Sequence, residues 1–127
     1  MIIENIDLTK YVNNNLVPPP EGVYNVECTR VERYTAKSSR KPMLQFIWMV
    51  LDGKFTGRYF TTRIALEGDG PLSVLASLFL TLGVPLQKEL DTDPLIGKKC
   101  RVVLVKNDSN MLSCDGYMPY EEDSGLL

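Results

Sequence analysis

Between Gly22 and Leu66 apolar and polar residues alternate at the two-residue period of β-strands, and after Gly70 the period changes to the three-and-four spacing of a helix. Beyond Lys99 the strand pattern returns. A chain written this way must fold as a sheet interrupted by one helix. At 127 residues it is long enough for a single core without staples.

The segments follow in order. Val23 to Tyr34 places Tyr24, Val26 and Cys28 on one side and Asn25, Glu27 and Thr29 on the other. After Thr29 the phase slips toward Val31, which predicts a bulge or sharp bend. Thr35 to Lys41 is a polar, cationic loop closed by Pro42, and Met43 to Leu51 is the most hydrophobic strand. Asp52-Gly53 signals a hairpin, so Arg58 to Leu66 pairs antiparallel with it. Pro71 suits a first helical turn, and Leu72, Leu75, Ala76, Phe79 and Leu82 give an amphipathic helix ending at Gly83. Pro85 to Gly97 connects to a strand at Lys99 to Lys106, then a turn at Asn107 to Asn110 and a fifth strand at Met111 to Tyr117.

Three strands, a helix and two strands is the layout of a mainly β, five-stranded OB-fold-like barrel with one helix between strands three and four. An SH3-like barrel or an open α+β sheet gives a similar string. The expected organisation is an N-terminal arm and Pro-rich linker over residues 1–21, a barrel over 22–118 and an acidic tail over 119–127. Pro18-Pro19-Pro20 forces polyproline II, hence the linker.

The register of the hairpin decides what a ligand meets. With a three-residue loop at Asp52-Gly53-Lys54, Leu44, Phe46, Trp48 and Val50 face in and meet Phe60, Ile64 and Leu66. Gln45, Ile47, Tyr59, Thr61 and Arg63 then share the outer face. A two-residue turn would instead pair Phe46 with Tyr59, at the expense of one coherent core.

Charge is segregated along the chain. The formal net charge is −2, yet residues 22–66 carry eight cations (Arg30, Arg33, Lys37, Arg40, Lys41, Lys54, Arg58 and Arg63) against Glu27, Glu32 and Asp52. Lys98, Lys99, Arg101 and Lys106 form a second basic cluster, while residues 67–97 and the tail are acidic. Local patches, not totals, set the field a ligand meets. Tyr24, Tyr34, Phe46, Trp48, Phe55, Tyr59 and Phe60 thread the first basic segment, and cationic strands with aromatics suit a polyanion whose bases stack. Arg30, Arg33, Lys37, Arg40 and Lys41 are candidates for phosphate contact, as are Arg58, Arg63, Lys99 and Arg101. Tyr34 and Tyr59 are the stacking candidates, with Gln45 and Thr61 beside them. Trp48 joins the candidates, although its position reads more naturally as core.

No catalytic constellation is written here, so no enzyme and no cofactor are expected. Histidine is absent, and the three cysteines (Cys28, Cys100 and Cys114) are scattered without a CxxC pair, which disfavours a metal site. Their free-thiol placement in strands indicates a reducing, cytoplasmic compartment. Gly97-Lys98-Lys99 lacks the earlier glycine and following Ser/Thr of a phosphate-binding loop, and it precedes a strand. The longest apolar run, Leu72 to Val84, is interrupted by Ser73, Ser77, Thr81 and Gly83, and the first residues lack a basic stretch before an apolar core. Neither a membrane span nor a secretory leader is expected.

The run Pro-Pro-Glu-Gly-Val-Tyr-Asn-Val at 19–26, Lys41-Pro42-Met43-Leu44, Val50-Leu51-Asp52-Gly53 and Gly57-Arg58 resembles a group of small bacteriophage proteins, the OB-fold single-stranded DNA-binding proteins found beside replication and recombination genes. Leu82-Gly83-Val84 and Leu95-Ile96-Gly97-Lys98 extend the resemblance, which covers roughly residues 19–106. It implies a viral protein that coats single-stranded DNA during replication or recombination without sequence preference, in the host cytoplasm. The tail Tyr120-Glu121-Glu122-Asp123 is similar to the acidic ends by which such proteins recruit replication or recombination proteins, though it finishes in Leu126-Leu127 where several finish in phenylalanine. The alternative is an OB-like protein-interaction module of a phage replication or assembly complex. Action alone or as a homo-oligomer stays open at this level.

Overall fold

The computed structural model describes residues 1–5 and 17–121. Most of the expected amphipathic arm and the end of the acidic tail lie outside the described residues.

Among the described residues, five strands and one α-helix follow in the expected order: β1 (Gly22–Thr35), β2 (Pro42–Val50), β3 (Tyr59–Ala65), α1 (Asp69–Thr81), β4 (Lys99–Lys106) and β5 (Leu112–Pro119). All strands are antiparallel in one sheet of order β3-β2-β1-β4-β5. β1 is the hinge of this sheet. Its first half, Gly22 to Glu27, pairs with β4, and the stretch from Val26 to Thr35 pairs with β2. The change of partner is made by the bulge the sequence predicts, since the register slips between Cys28 and Arg30 and leaves Thr29 unpaired. The Thr29 hydroxyl donates to the Ile47 carbonyl at 2.9 Å, which ties the bulge to β2. On the other edge a 3-10 turn at Asp93–Leu95 delivers Gly97, whose N–H donates to the Cys28 carbonyl at 2.7 Å.

The β2–β3 register keeps the predicted faces but moves the turn. Trp48 lies opposite Phe60, Phe46 opposite Thr62 and Leu44 opposite Ile64. The connection is longer than the three residues expected, because the Gly57 N–H donates to the Val50 carbonyl at 2.8 Å and closes a loop over residues 51–56. Asp52 is drawn away from the turn by Asn25, whose Nδ2 donates to its carboxylate at 2.9 Å. Phe55 folds edge-on against Tyr24, with ring centroids 6.1 Å apart. These two contacts outweigh the local preference of Asp-Gly for a tight hairpin.

α1 ends at the predicted glycine. Gly83 has a φ of 79°, the Gly83 N–H reaches Leu80 O at 3.0 Å, and the Val84 N–H reaches Phe79 O at 2.9 Å. This pair of bonds, with Val84 buried beside Phe79, is a Schellman cap. The helix buries Leu75, Leu78 and Phe79 against the inner face of the sheet. There they join Val26, Cys28, Phe46, Trp48, Ile64, Leu95, Cys100 and Val102 in one core.

The expected closed barrel is not what the sheet shows. Among the described residues no ladder joins β3 to β5, so the sheet stays open along that seam. α1 packs against both strands there, and among the described residues one side-chain bond crosses the gap, from the Tyr117 hydroxyl to Thr62 Oγ1 at 2.7 Å. The same Thr62 oxygen accepts from Trp48 Nε1 at 2.8 Å. Side chains, not backbone, hold the two edges together.

The described ends of both flanks touch β1. Pro19 is fully buried, and the Pro20 carbonyl accepts from the Tyr24 hydroxyl at 2.7 Å. At the other end the Glu121 carbonyl accepts from Asn25 Nδ2 at 2.8 Å.

Candidate nucleic-acid interface

The bulge in β1 sets which of its residues share a surface with β2 and β3. Beyond it, three rows run across the outer face: Tyr34–Met43–Ala65, Glu32–Gln45–Arg63 and Arg30–Ile47–Thr61. A fourth row, Glu27–Met49–Tyr59, continues into Lys99 of β4, and Asn25 lies beside Arg101. Alternation opposite the buried Leu44, Phe46, Trp48 and Val50 puts all of these on one side.

The face is part apolar and part charged, with Arg30, Arg63, Lys99 and Arg101 outnumbering Glu27 and Glu32. Met43, Ile47 and Met49 form its half-buried spine, flanked by the half-buried Tyr34 and Tyr59. The Arg63 guanidinium lies 5.8 Å from the centre of the Tyr34 ring, and its Nε donates to Gln45 Oε1 at 3.2 Å. A planar cation, an aromatic ring and an amide are thus fixed together on an exposed strand surface. Such a group can stack on a base and hold a phosphate.

At the end of the face beside Tyr34, the β1–β2 loop exposes Lys37, Arg40 and Lys41. The loop closes through Ala36 N–H to Lys41 O at 2.9 Å and Arg40 N–H to Ala36 O at 2.8 Å. Arg40 adopts a φ of 57°, a left-handed conformation ordinarily left to glycine or asparagine. At the opposite end, Lys99 sits 5.5 Å from the Tyr120 ring centre, and Arg101 pairs with the Glu121 carboxylate at 3.1 Å.

Not every predicted residue reaches this face. Trp48 has no exposed surface, so it supports the face from below and is not a stacking platform. Arg33 lies opposite Leu44 and so projects from the other side of the sheet. Arg58 is held over the Phe55 ring at 4.8 Å, in the β2–β3 loop. Arg30 is on the face but paired with Glu32 at 2.6 Å. Arg30, Tyr34, Gln45, Tyr59, Thr61, Arg63, Lys99 and Arg101 share the outer face, with Lys37, Arg40 and Lys41 at its loop end. Met43 and Met49 were missing from the candidates, although the alternation that exposes Gln45 and Ile47 exposes them too.

Cys28 and Cys100 are buried and Cys114 is half-buried, all three as free thiols. Burial pushes the Cys28 thiol up to about 11 and the Cys100 thiol up to about 12, and it raises Cys114. The described residues contain no group of acidic, cysteine or histidine side chains that could hold a metal ion. No described helix is long and apolar enough to cross a membrane.

Fold and face together define a mainly β protein, one antiparallel sheet with an exposed cationic and aromatic strand surface. Its sequence matches the family described as protein of unknown function DUF669 over residues 7–124, and the chain belongs to that family. No curated protein matches it.

Proposed function

We propose that this protein binds single-stranded DNA on the outer face of β1, β2 and β3, with little preference for sequence. One observation carries the reading: Tyr34, Gln45 and Arg63 stand as a cluster on an exposed strand face, beside a loop of three exposed cations. Tyr34 and Tyr59 stack bases, Arg63 and the loop cations hold phosphates, and the Met43–Ile47–Met49 spine contacts sugars and base planes. Strand order β3-β2-β1-β4-β5 is that of an OB barrel opened along the seam between its third and fifth strands, and the outer face of the second and third strands is where that fold binds oligonucleotides. Arg40 adds support, because an arginine kept in a left-handed conformation gives up backbone energy for a side chain in that place. A role in phage replication or recombination agrees with the resemblance of residues 19–106 to phage single-strand binders.

A second reading rests on the same spine. Methionines on an exposed face adapt to many protein surfaces, so Met43 and Met49 also suit a protein partner.

The two readings part on mutation. Tyr34→Ala with Arg63→Ala should weaken oligo-dT binding by ~1–3 kcal/mol, roughly 5- to 150-fold, as loss of a stacked base does. Arg40→Ala with Lys41→Ala should weaken binding to all sequences alike. Oligo-dT affinity unchanged in both double variants would remove this face as the DNA site and favour the protein partner.

A further inference from the structure

α1 and the connector that follows it enclose a second surface feature, which shares no residue with the strand face. It is a groove of about 210 Å³, floored by Leu75, Phe79 and Val84. Leu72, Leu86 and Leu90 also line it and are 43%, 53% and 52% exposed. Three half-exposed leucines around one apolar cleft are unusual on a free surface. The volume is below the ~300–1,000 Å³ of pockets for cofactors and small ligands, and it is the size of one or two large side chains.

Charge says what kind of chain brings those side chains. Glu89 and Asp91 line the rim with a single cation, Lys88, and Asp93 follows in the 3-10 turn. Neither ion pair found among the described residues involves any of them; Asp91 Oδ1 accepts the Asp93 N–H at 3.0 Å within the connector, and Glu89 and Asp91 leave the rim with a net negative charge beside Lys88. The protein's own apolar-ended stretches have the wrong sign: Glu4 and Asp7 follow Met1-Ile2-Ile3, and Glu121, Glu122 and Asp123 precede Leu126-Leu127.

We infer that this groove is a docking site for a short amphipathic segment of a partner protein, one that inserts leucine-like anchors between Leu72, Leu86 and Leu90 and sets lysines or arginines against Glu89 and Asp91. It lies apart from the strand face, so nucleic acid and the partner segment can be held at once. The site stands whether or not the strand face binds DNA.

The probe is a fluorescent peptide of about 12 residues with leucines on one face and lysines on the other, the helix-in-groove pattern. It should bind the full chain saturably, while its counterpart with glutamates for lysines should not. Leu86→Ser with Leu90→Ser should weaken binding ~10-fold or more, as loss of anchor contacts does. Glu89→Gln with Asp91→Asn should weaken it as well, and all variants should keep the parent's affinity for oligo-dT. Amide shift mapping on the unmodified protein should place the peptide against residues 72–79 and 84–91. Equal binding of both peptides, indifference to the leucine changes, or shifts confined to the strands would overturn the proposal. So would a dimer in sedimentation that the leucine changes dissociate, because the groove would then seat a second copy.

Discussion

Thr62 is a small polar residue within the apolar core, and its hydroxyl oxygen accepts from the buried Trp48 Nε1 and from the part-buried Tyr117 hydroxyl. An unsatisfied buried donor costs about 1–3 kcal/mol. Thr62→Val keeps the shape and removes the acceptor from both, so urea denaturation should show a loss of ~2–4 kcal/mol that Thr62→Ser largely avoids. An equal effect of both changes would mean that methyl packing, not the hydrogen bonds, joins the β3 and β5 edges. Because Trp48 is the single tryptophan and has no exposed surface, its emission should be blue-shifted and little altered by oligo-dT. Strong quenching would put a base against it. The strand period was enough to place this indole among core residues. The bond that crosses the seam was not legible, because Thr62 and Tyr117 are 55 positions apart and meet only when the sheet curves.

Elements of the fold were readable wherever local chemistry decides the outcome. The bulge after Thr29, the helix stop at Gly83 and the strand at Lys99–Lys106 follow from residues within a few positions of themselves. Sequence reasoning misjudged the β2–β3 loop because Asn25 and Tyr24 of β1 act on Asp52 and Phe55 from outside the hairpin. It also read the barrel as closed, since whether two edges pair depends on how α1 seats between them. The candidate face was legible as a set of alternating positions, but the contact of Arg63 with Tyr34 depends on a β1 register that only the bulge fixes. The β1–β2 loop allows a test in which stability and binding move in opposite directions. Arg40→Gly relieves the left-handed strain and should stabilise the fold by about 1 kcal/mol in thermal unfolding. The same change should weaken oligo-dT binding, because it removes a phosphate contact. A variant that is both more stable and equally tight would show that Arg40 is a structural residue only.

At the scale of the whole molecule, three thiols and a tyrosine are held neutral by burial, and this sets the alkaline limit of stability. A thiol protonated in the fold but free to ionise in the unfolded chain favours unfolding as pH rises. With Cys28 pushed up to about 11 and Cys100 up to about 12, their contribution is intact below the unfolded thiol value of ~8.5–9 and is lost as pH climbs through the folded values. Burial raises Tyr117 in the same direction. The unfolding free energy should therefore be flat from pH ~7 to 8.5, then fall by ~1 kcal/mol for each of Cys28 and Cys100 between pH 9 and 10. Cys100→Ala should flatten that limb, and an unchanged limb would mean that other groups control it. Charge segregation is the second whole-molecule property, for an acidic protein presents one cationic face. Its most direct test is anisotropy of labelled oligo-dT of about 30 nucleotides, titrated at several salt concentrations with equal-length duplex as competitor. The account predicts single-strand-selective binding whose log K falls with log salt at a slope of roughly −0.7 per phosphate neutralised, about −3 for four contacts. Absence of binding at low salt, or binding that duplex competes for equally, would contradict it.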